Sequence, residues 1–234
     1  MKPTTVNHGI LREKIDELVA RYCPDRLSRI ADLGCGNGIL LTELSGKHPQ
    51  AEAHGFDPDA QAIQNARNLA KEKGLQKLRF HHEPAEKAVA HGPFDLVLSN
   101  LALCYAQPQE AFVQGLRKAL AADGTAIVCD FCLPEGLDAR TMAAWNSFLK
   151  EAILLPNSTR TPRAWQELWE QSGLEVLHTQ AEPTPFARTR PTEEQAYWGP
   201  KLARWEKVFE TAFHGLPKPP AAFPTAVWVL RAKA

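Results

Sequence analysis

The chain has 234 residues, 44% of them hydrophobic and 23% charged, which suits a large apolar core and excludes fibrous, collagen-like and disordered classes. Lysine and arginine number 27, as do aspartate and glutamate, so no net field is available to hold a polyanion and nucleic acid is not expected as a partner. No run approaches the ~20 apolar residues of a membrane span, and the start at Met1-Lys2-Pro3-Thr4-Thr5 is polar. The five cysteines, Cys23, Cys35, Cys104, Cys129 and Cys132, show no framework spacing. Reduced thiols, a cytoplasmic setting and no membrane partner are the expectation.

In chain order, Ile10, Leu11, Ile15, Leu18, Val19 and Tyr22 recur at helical spacing until Pro24 breaks the pattern. Ile30-Ala31-Asp32-Leu33 then reads as a strand. It ends in Gly34-Cys35-Gly36-Asn37-Gly38, and Ile39, Leu40, Leu41 and Leu44 give a helical face. The unit repeats with a strand from Ala51 to Phe56, a turn at Asp57-Pro58-Asp59 and a helix carrying Ile63, Ala66, Leu69 and Ala70. Strands at Leu78 to His81 and Phe94 to Leu98, a helix with Phe112, Val113, Leu116 and Leu120, and a fifth strand from Thr125 to Phe131 follow. Beyond these lie an amphipathic stretch from Leu137 to Leu154 and a helix begun by Thr161-Pro162. A strand from Leu174 to His178, a helix from Thr192 to Phe213 and a last strand from Ala226 to Leu230 complete the chain.

Strands alternating with helices of this length imply parallel crossovers. The expected fold is α/β, a Rossmann-like doubly wound, mostly parallel seven-stranded sheet with a helical cap inserted near the C-terminus. Residues 1–135 form the core. Residues 136–234 hold the cap helices and the last strands, with the insertion between Pro183 and Pro220, all in one structural domain.

Ligands of such sheets bind at the carboxyl ends of the strands near the switch in strand order, which directs attention to the glycine turn. A dinucleotide fingerprint needs a third glycine at position 39, which is Ile39, so NAD and FAD are disfavoured. Asp32 ahead of Gly34, Gly36 and Gly38 instead suits a ligand with a cationic ammonium or sulfonium, because the acid offers charge-assisted bonds and the glycines admit close backbone approach. Asp57, at the tip of the second strand, can accept both hydroxyls of a ribose, with a helix cap as its alternative role.

Three segments, Ala31-Asp32-Leu33-Gly34-Cys35-Gly36-Asn37-Gly38, Gly55-Phe56-Asp57-Pro58 and Phe94-Asp95-Leu96-Val97-Leu98-Ser99-Asn100, resemble strand-end motifs of class I S-adenosylmethionine-dependent methyltransferases. The resemblance covers roughly residues 25–135. It implies S-adenosyl-L-methionine as cofactor, with Asp32, Gly34, Cys35 and Gly36 at its methionine part. Asp57 and Pro58 would lie at the ribose, and Asn100 and Leu101 near the reacting methyl. Where the family usually has an Asp-Ala pair after strand three, the chain reads His82-Glu83-Pro84-Ala85-Glu86, leaving Glu83 or the Ala85 and Glu86 backbone for the adenine. Ser99-Asn100-Leu101-Ala102-Leu103-Cys104-Tyr105 differs from the Asn-Pro-Pro-Tyr signature of amino-methylating enzymes and looks closer to small-molecule and acyl-carrier carboxyl methyltransferases.

The implied activity is methyl transfer by in-line displacement to a small organic acceptor. The alternatives are a carrier-bound or peptide acceptor, or a regulatory protein that binds the cofactor without chemistry. Tyr105 and Asn100 are the catalytic candidates. Tyr105, Tyr197, Trp198, Arg188 and Arg190 are the substrate candidates, the aromatics as a wall that excludes water and the arginines as a clamp for an anionic group. His8 and His214 are possible bases, and His81 and His82 lie toward the adenine side. Cys129 and Cys132 have metal-like spacing but no second pair, so no metal site is expected, and the oligomeric state is not legible.

Overall fold

The alternation of apolar strands and amphipathic helices is realised in a computed structural model that describes residues 9–23, 27–181, 184–185, 195–219 and 222–233. The order is α1 (Gly9–Tyr22), β1 (Arg29–Leu33), α2 (Ile39–Lys47), β2 (Glu52–Phe56), α3 (Ala60–Glu72), β3 (Leu78–His81), β4 (Phe94–Asn100), α4 (Gln109–Ala119) and β5 (Leu120–Phe131). The second half contains α5 (Ala139–Ile153), α6 (Pro162–Gln171), β6 (Leu174–Ala181), β7 (Thr184–Pro185), α7 (Gln195–Ala212), β8 (Ala222–Phe223) and β9 (Thr225–Ala232). Two 3₁₀ turns, Ala85–Ala90 and Leu103–Tyr105, follow β3 and β4.

Seven strands form one sheet in the order β3-β2-β1-β4-β5-β9-β6, parallel except for β9, which runs antiparallel to both β5 and β6. The chain crosses from one half of the sheet to the other between β1 and β4, so the crevice expected for a ligand opens at their carboxyl ends. Side chains alternate across the sheet with the period of two that a strand imposes. Ile30, Leu96, Leu98, Ile127, Val227 and Val229 meet α1, α2 and α3 on one face, while Ala31, Val97, Ala126, Val128, Trp228 and Leu230 meet α4 and α6 on the other. Burial on both faces is why these strands read as nearly continuous apolar runs.

Local chemistry explains the helix starts. Asp59 caps α3 by accepting from the amides of Gln61 (2.9 Å) and Ala62 (3.1 Å), and Asp138 caps α5 through Arg140 (2.9 Å) and Thr141 (3.0 Å). Thr161 caps α6, with Pro162 at its first position as the sequence implied.

A third apolar cluster lies beyond the carboxyl ends of β4 and β5. There Cys104, Phe131 and Leu133 meet Trp145 and Phe148 of α5 and Trp205, Phe209 and Phe213 at α7. Phe148 and Phe209 cross edge to face at 5.2 Å between ring centres, as do Trp145 and Phe213 at 5.1 Å. Each such ring contributes about 1.5–3 kcal/mol by leaving water, enough to hold two helices that make no sheet of their own. Trp165 and Trp169 instead stack at 5.2 Å and pack on Trp228 in the sheet's core, so α6 is a sheet-covering helix.

Candidate functional site

The turn after β1 is shaped by its glycines. The Gly34 and Cys35 amides both donate to the Phe56 carbonyl (2.8 and 3.0 Å), which ties the turn to the end of β2. Gly34 has φ +79°, and a Cβ there would lie 2.2 Å from the Ala102 Cβ, so the close passage of the segment after β4 requires glycine. At Gly36, by contrast, a Cβ would have no atom within 4 Å. That open backbone edge is where a ligand can approach.

Two carboxylates converge here. Asp57 accepts from the Gly36 amide at 3.0 Å through Oδ2 and from the Asp59 amide at 2.8 Å through Oδ1, while its own amide donates to the His81 carbonyl at 3.2 Å. The helix-cap alternative for Asp57 is thereby corrected, since Asp59 holds the α3 amides. Asp57 braces the turn, and each of its oxygens retains acceptor capacity. Asp32 is 2% exposed, and its Oδ1 has no hydrogen-bond partner. Burial, and after it the charge of Asp57, pushes its carboxyl from 3.8 up to about 7. A buried carboxylate oxygen without a donor calls for one, and a cationic donor would also relieve the repulsion between the two acids.

The segment after β4 passes against this turn, with Ala102 beside Gly34. Leu101 has φ +53°, unusual for a branched residue, and its amide donates to the Cys129 carbonyl at 2.8 Å, which holds the chain in this strained path beside Asn100. Asp130, fully buried near the end of β5, accepts from the amides of Cys104 (3.0 Å) and Phe131 (2.7 Å). Burial raises its carboxyl to about 6 and also pushes the Cys104 thiol up. Tyr105 donates its hydroxyl to the Ile153 carbonyl at 2.9 Å and is held protonated by burial. The Asn157 side-chain amide donates to the Ala106 carbonyl at 2.8 Å. The segment after β4 is thus tied to α5 and the loop beyond it. Tyr105, a catalytic and substrate candidate from sequence, has its hydroxyl engaged by the Ile153 carbonyl.

Of the residues expected near the adenine and ribose, Ala85 is buried and opens its 3₁₀ turn, and exposed Pro58 accepts through its carbonyl from the His82 ring at 3.0 Å. The Glu83 carboxylate, the other candidate for this position, lies 3.3 Å from His91 Nε2. Cys35, also a candidate, is buried with its thiol pushed up. None of the five cysteines is in a disulfide, burial raises the Cys132 thiol to about 12, and Cys129 and Cys132 pack in the cores on the two faces of the sheet. His214 is exposed just past α7. Arg188, Arg190 and His8 lie outside the described residues, and so do the side chains of Tyr197 and Trp198.

Several participants were missed from sequence. Asp130 carried a signal, an acid inside an otherwise apolar strand. Asn157 carried none. Nor did His54, which meets His81 and His91 only through the register of β2 and β3.

The chain belongs to the family described as "Methyltransferase domain", whose model matches residues 24–189. Its class is that of the S-adenosylmethionine-dependent methyltransferases of Rossmann-like fold. Among curated relatives it is 33% identical over 124 residues to the ribosomal protein L11 methyltransferase of Thermus thermophilus, covering 53% of the chain and 46% of that protein. It is 27% identical over 183 residues to the trans-aconitate 2-methyltransferase of Streptomyces avermitilis, covering 69% and 67%. The chain spans less than half the length of several curated relatives it matches. Its fold is shared with the YcgJ protein of Bacillus subtilis (TM-score 0.73, 17% identity, 94% of this chain and 98% of that one). It is shared too with the O-methyltransferase of a Brevibacillus brevis trans-AT PKS multienzyme in complex with S-adenosyl-L-homocysteine (TM-score 0.66, 13% identity, 94% and 72%).

The residues fit S-adenosyl-L-methionine. The unpartnered Asp32 Oδ1 suits its ammonium, the open edge at Gly36 its methionine part, and the spare acceptor capacity of Asp57 its ribose. Among the described residues no helix is long and apolar enough to cross a membrane.

Proposed function

We propose that this chain transfers a methyl group to a small organic acceptor whose nucleophile needs no general base, a carboxylate being the best match. The observation that carries this reading is the commitment of the titratable groups after β4. The Tyr105 hydroxyl is donated to Ile153, the Cys104 thiol is pushed up by burial, and Asp130 is enclosed and holding two amides. None is poised to take a proton from a hydroxyl acceptor. The likeness to a relative named for trans-aconitate, a small carboxylate, supports the same class.

The bound cofactor supplies an electrophilic methyl on a positively charged sulfur, with a neutral thioether as leaving group. The chain's part is therefore mainly positioning, which can supply about 7–11 kcal/mol when reacting atoms are aligned near ~3 Å. Asp32 would hold the methionine ammonium and Asp57 the ribose hydroxyls, and Asn100 with the strained Leu101 presents backbone beside the acceptor. The ties of Tyr105 and Asn157 to α5 and its following loop, with α5 packed on α7, cover this side against water. Such cover suits a small acceptor better than an acidic carrier surface.

The test is incubation with methyl-labelled S-adenosylmethionine and three acceptor panels: small organic acids, an acyl-carrier thioester and an unstructured peptide. Label in small acids, recovered as base-labile methyl esters by mass spectrometry, is the expected result. Label confined to the carrier or the peptide, or no transfer to any panel, overturns the reading.

A further inference from the structure

We propose that His54, His81 and His91 form a three-imidazole site for a divalent transition-metal ion of the zinc class, with the Glu83 carboxylate orienting His91. The three residues each bring one ring nitrogen to within 4.8 Å of the others. His54 Nδ1 and His81 Nε2 are 3.1 Å apart, close to the roughly 3.3 Å that separates two nitrogens on one tetrahedral zinc ion at 2.0–2.1 Å. The cluster needs only small side-chain adjustments to close on an ion.

The parallel register makes the arrangement. Phe56 pairs with His81 across β2 and β3, and His54, two residues before Phe56, points to the same face. His91 arrives just after the 3₁₀ turn Ala85–Ala90, and its ring centre lies 4.3 Å from that of His81. Residues of β2, β3 and the end of the 3₁₀ turn thus meet behind the tips that carry Asp57 and Glu83.

Imidazole is the commonest side-chain ligand of transition metals and suits zinc, copper and nickel, and His54, with its Nδ1 turned to His81, is only 7% exposed. Glu83 Oε2, 3.3 Å from His91 Nε2, supplies the carboxylate partner that metal-bound histidines commonly have. A hydrogen bond between His54 and His81, with the rings packed on Phe56 and Phe94, is the account without a metal. It does not require the third ring, His91, to bring a nitrogen within 4.8 Å of the other two. Arg29, Arg67 and Arg79 lie near the cluster; Arg29 is bound to the His91 carbonyl at 2.6 Å and lies 3.9 Å from Glu52, and Arg67 is bound to the Phe80 carbonyl at 2.8 Å.

A bound ion would join β2, β3 and the segment after the 3₁₀ turn, and so stiffen the adenosine side of the cleft. This site stands on its own observations and does not depend on methyl transfer. The test uses the full, tag-free chain, stripped with a chelator, desalted and titrated calorimetrically with zinc chloride.

The expected result is one equivalent bound with Kd below about 1 μM and a higher melting temperature. Cobalt(II) in its place should give the intense visible bands of a low-symmetry site. His91→Ala, at a half-exposed position, should weaken binding at least about tenfold while circular dichroism stays unchanged. His214→Ala should bind as the parent does. If His91→Ala loses its fold, His81→Gln is read by the same titration. Absence of zinc binding by the parent chain, or equal affinity in the parent and a folded histidine variant, overturns the proposal.

Discussion

Asp32→Asn is the most informative change in the cleft, because it removes a charge while nearly preserving shape. The rise of the Asp32 carboxyl from 3.8 to about 7 corresponds to about 4 kcal/mol in favour of its neutral form. The folded chain therefore keeps a proton that the unfolded chain has released between about pH 4 and 7. Its stability falls with rising pH across that window and levels off above it. The Asn variant lacks this descent and should be the more stable of the two at pH 8, by about 1–3 kcal/mol. Cofactor binding reverses the preference: an ammonium beside Asp32 favours the ionised carboxylate, so binding releases a proton. Affinity for S-adenosylhomocysteine should improve by up to about tenfold for each pH unit between 5 and 7 and then level. In Asp32→Asn this dependence should flatten, and affinity at pH 7.5 should drop about 10- to 100-fold, as expected for loss of a charged hydrogen bond. Calorimetry in buffers of different ionisation heat reads both affinity and proton release. The same pH dependence and proton release in the parent and the variant would refute the reasoning.

Other expectations follow from the same geometry. Gly34→Ala places a Cβ 2.2 Å from that of Ala102 at φ +79°, so it should lower the melting temperature by several degrees and abolish cofactor binding; a folded variant of unchanged affinity would contradict the turn's role. Tyr105→Phe loses one bond to the Ile153 carbonyl, so stability should fall by about 1 kcal/mol while the pH profile of turnover keeps its shape; a missing limb in that profile would make Tyr105 an acid or base. For Asp130, raised to about 6, parent stability should carry a component that falls as pH rises from about 4 to 6, and Asp130→Asn should lack it. Urea unfolding of both chains at pH 4.5 and 6.5 measures this, and parallel responses would count against it.

The sheet was legible because its strands end at recognisable punctuation: the glycine turn, Asp57-Pro58, and the step into Asn100. β5 was read from Thr125, whereas it begins at Leu120. Ala121, Ala122, Asp123 and Gly124 have no strand pattern of their own, and it is pairing with β4, Phe94 to Leu120 and Leu96 to Thr125, that draws the segment into the ladder. The two-residue pairing of β7 with β8 was likewise invisible, since it depends on how far apart segments are folded together. In the cleft, Asp32 and Asp57 were legible from their positions at strand tips. The contacts of Tyr105 and Glu83 were not, because the Ile153 carbonyl comes from a remote segment and the His91 ring is brought back to Glu83 only by the 3₁₀ turn between them. The histidine trio fails for the same reason, as only strand register makes neighbours of His54 and His81.

The central claim is that the turn between Asp32 and Asp57 holds S-adenosylmethionine, and a crystal structure with S-adenosylhomocysteine bound tests it most directly. The account predicts the amino group within hydrogen-bond distance of Asp32 Oδ1 and the ribose hydroxyls on Asp57. A nucleoside bound elsewhere, with Asp32 still unpartnered and Asp57 bonded only to Gly36 and Asp59, would contradict it.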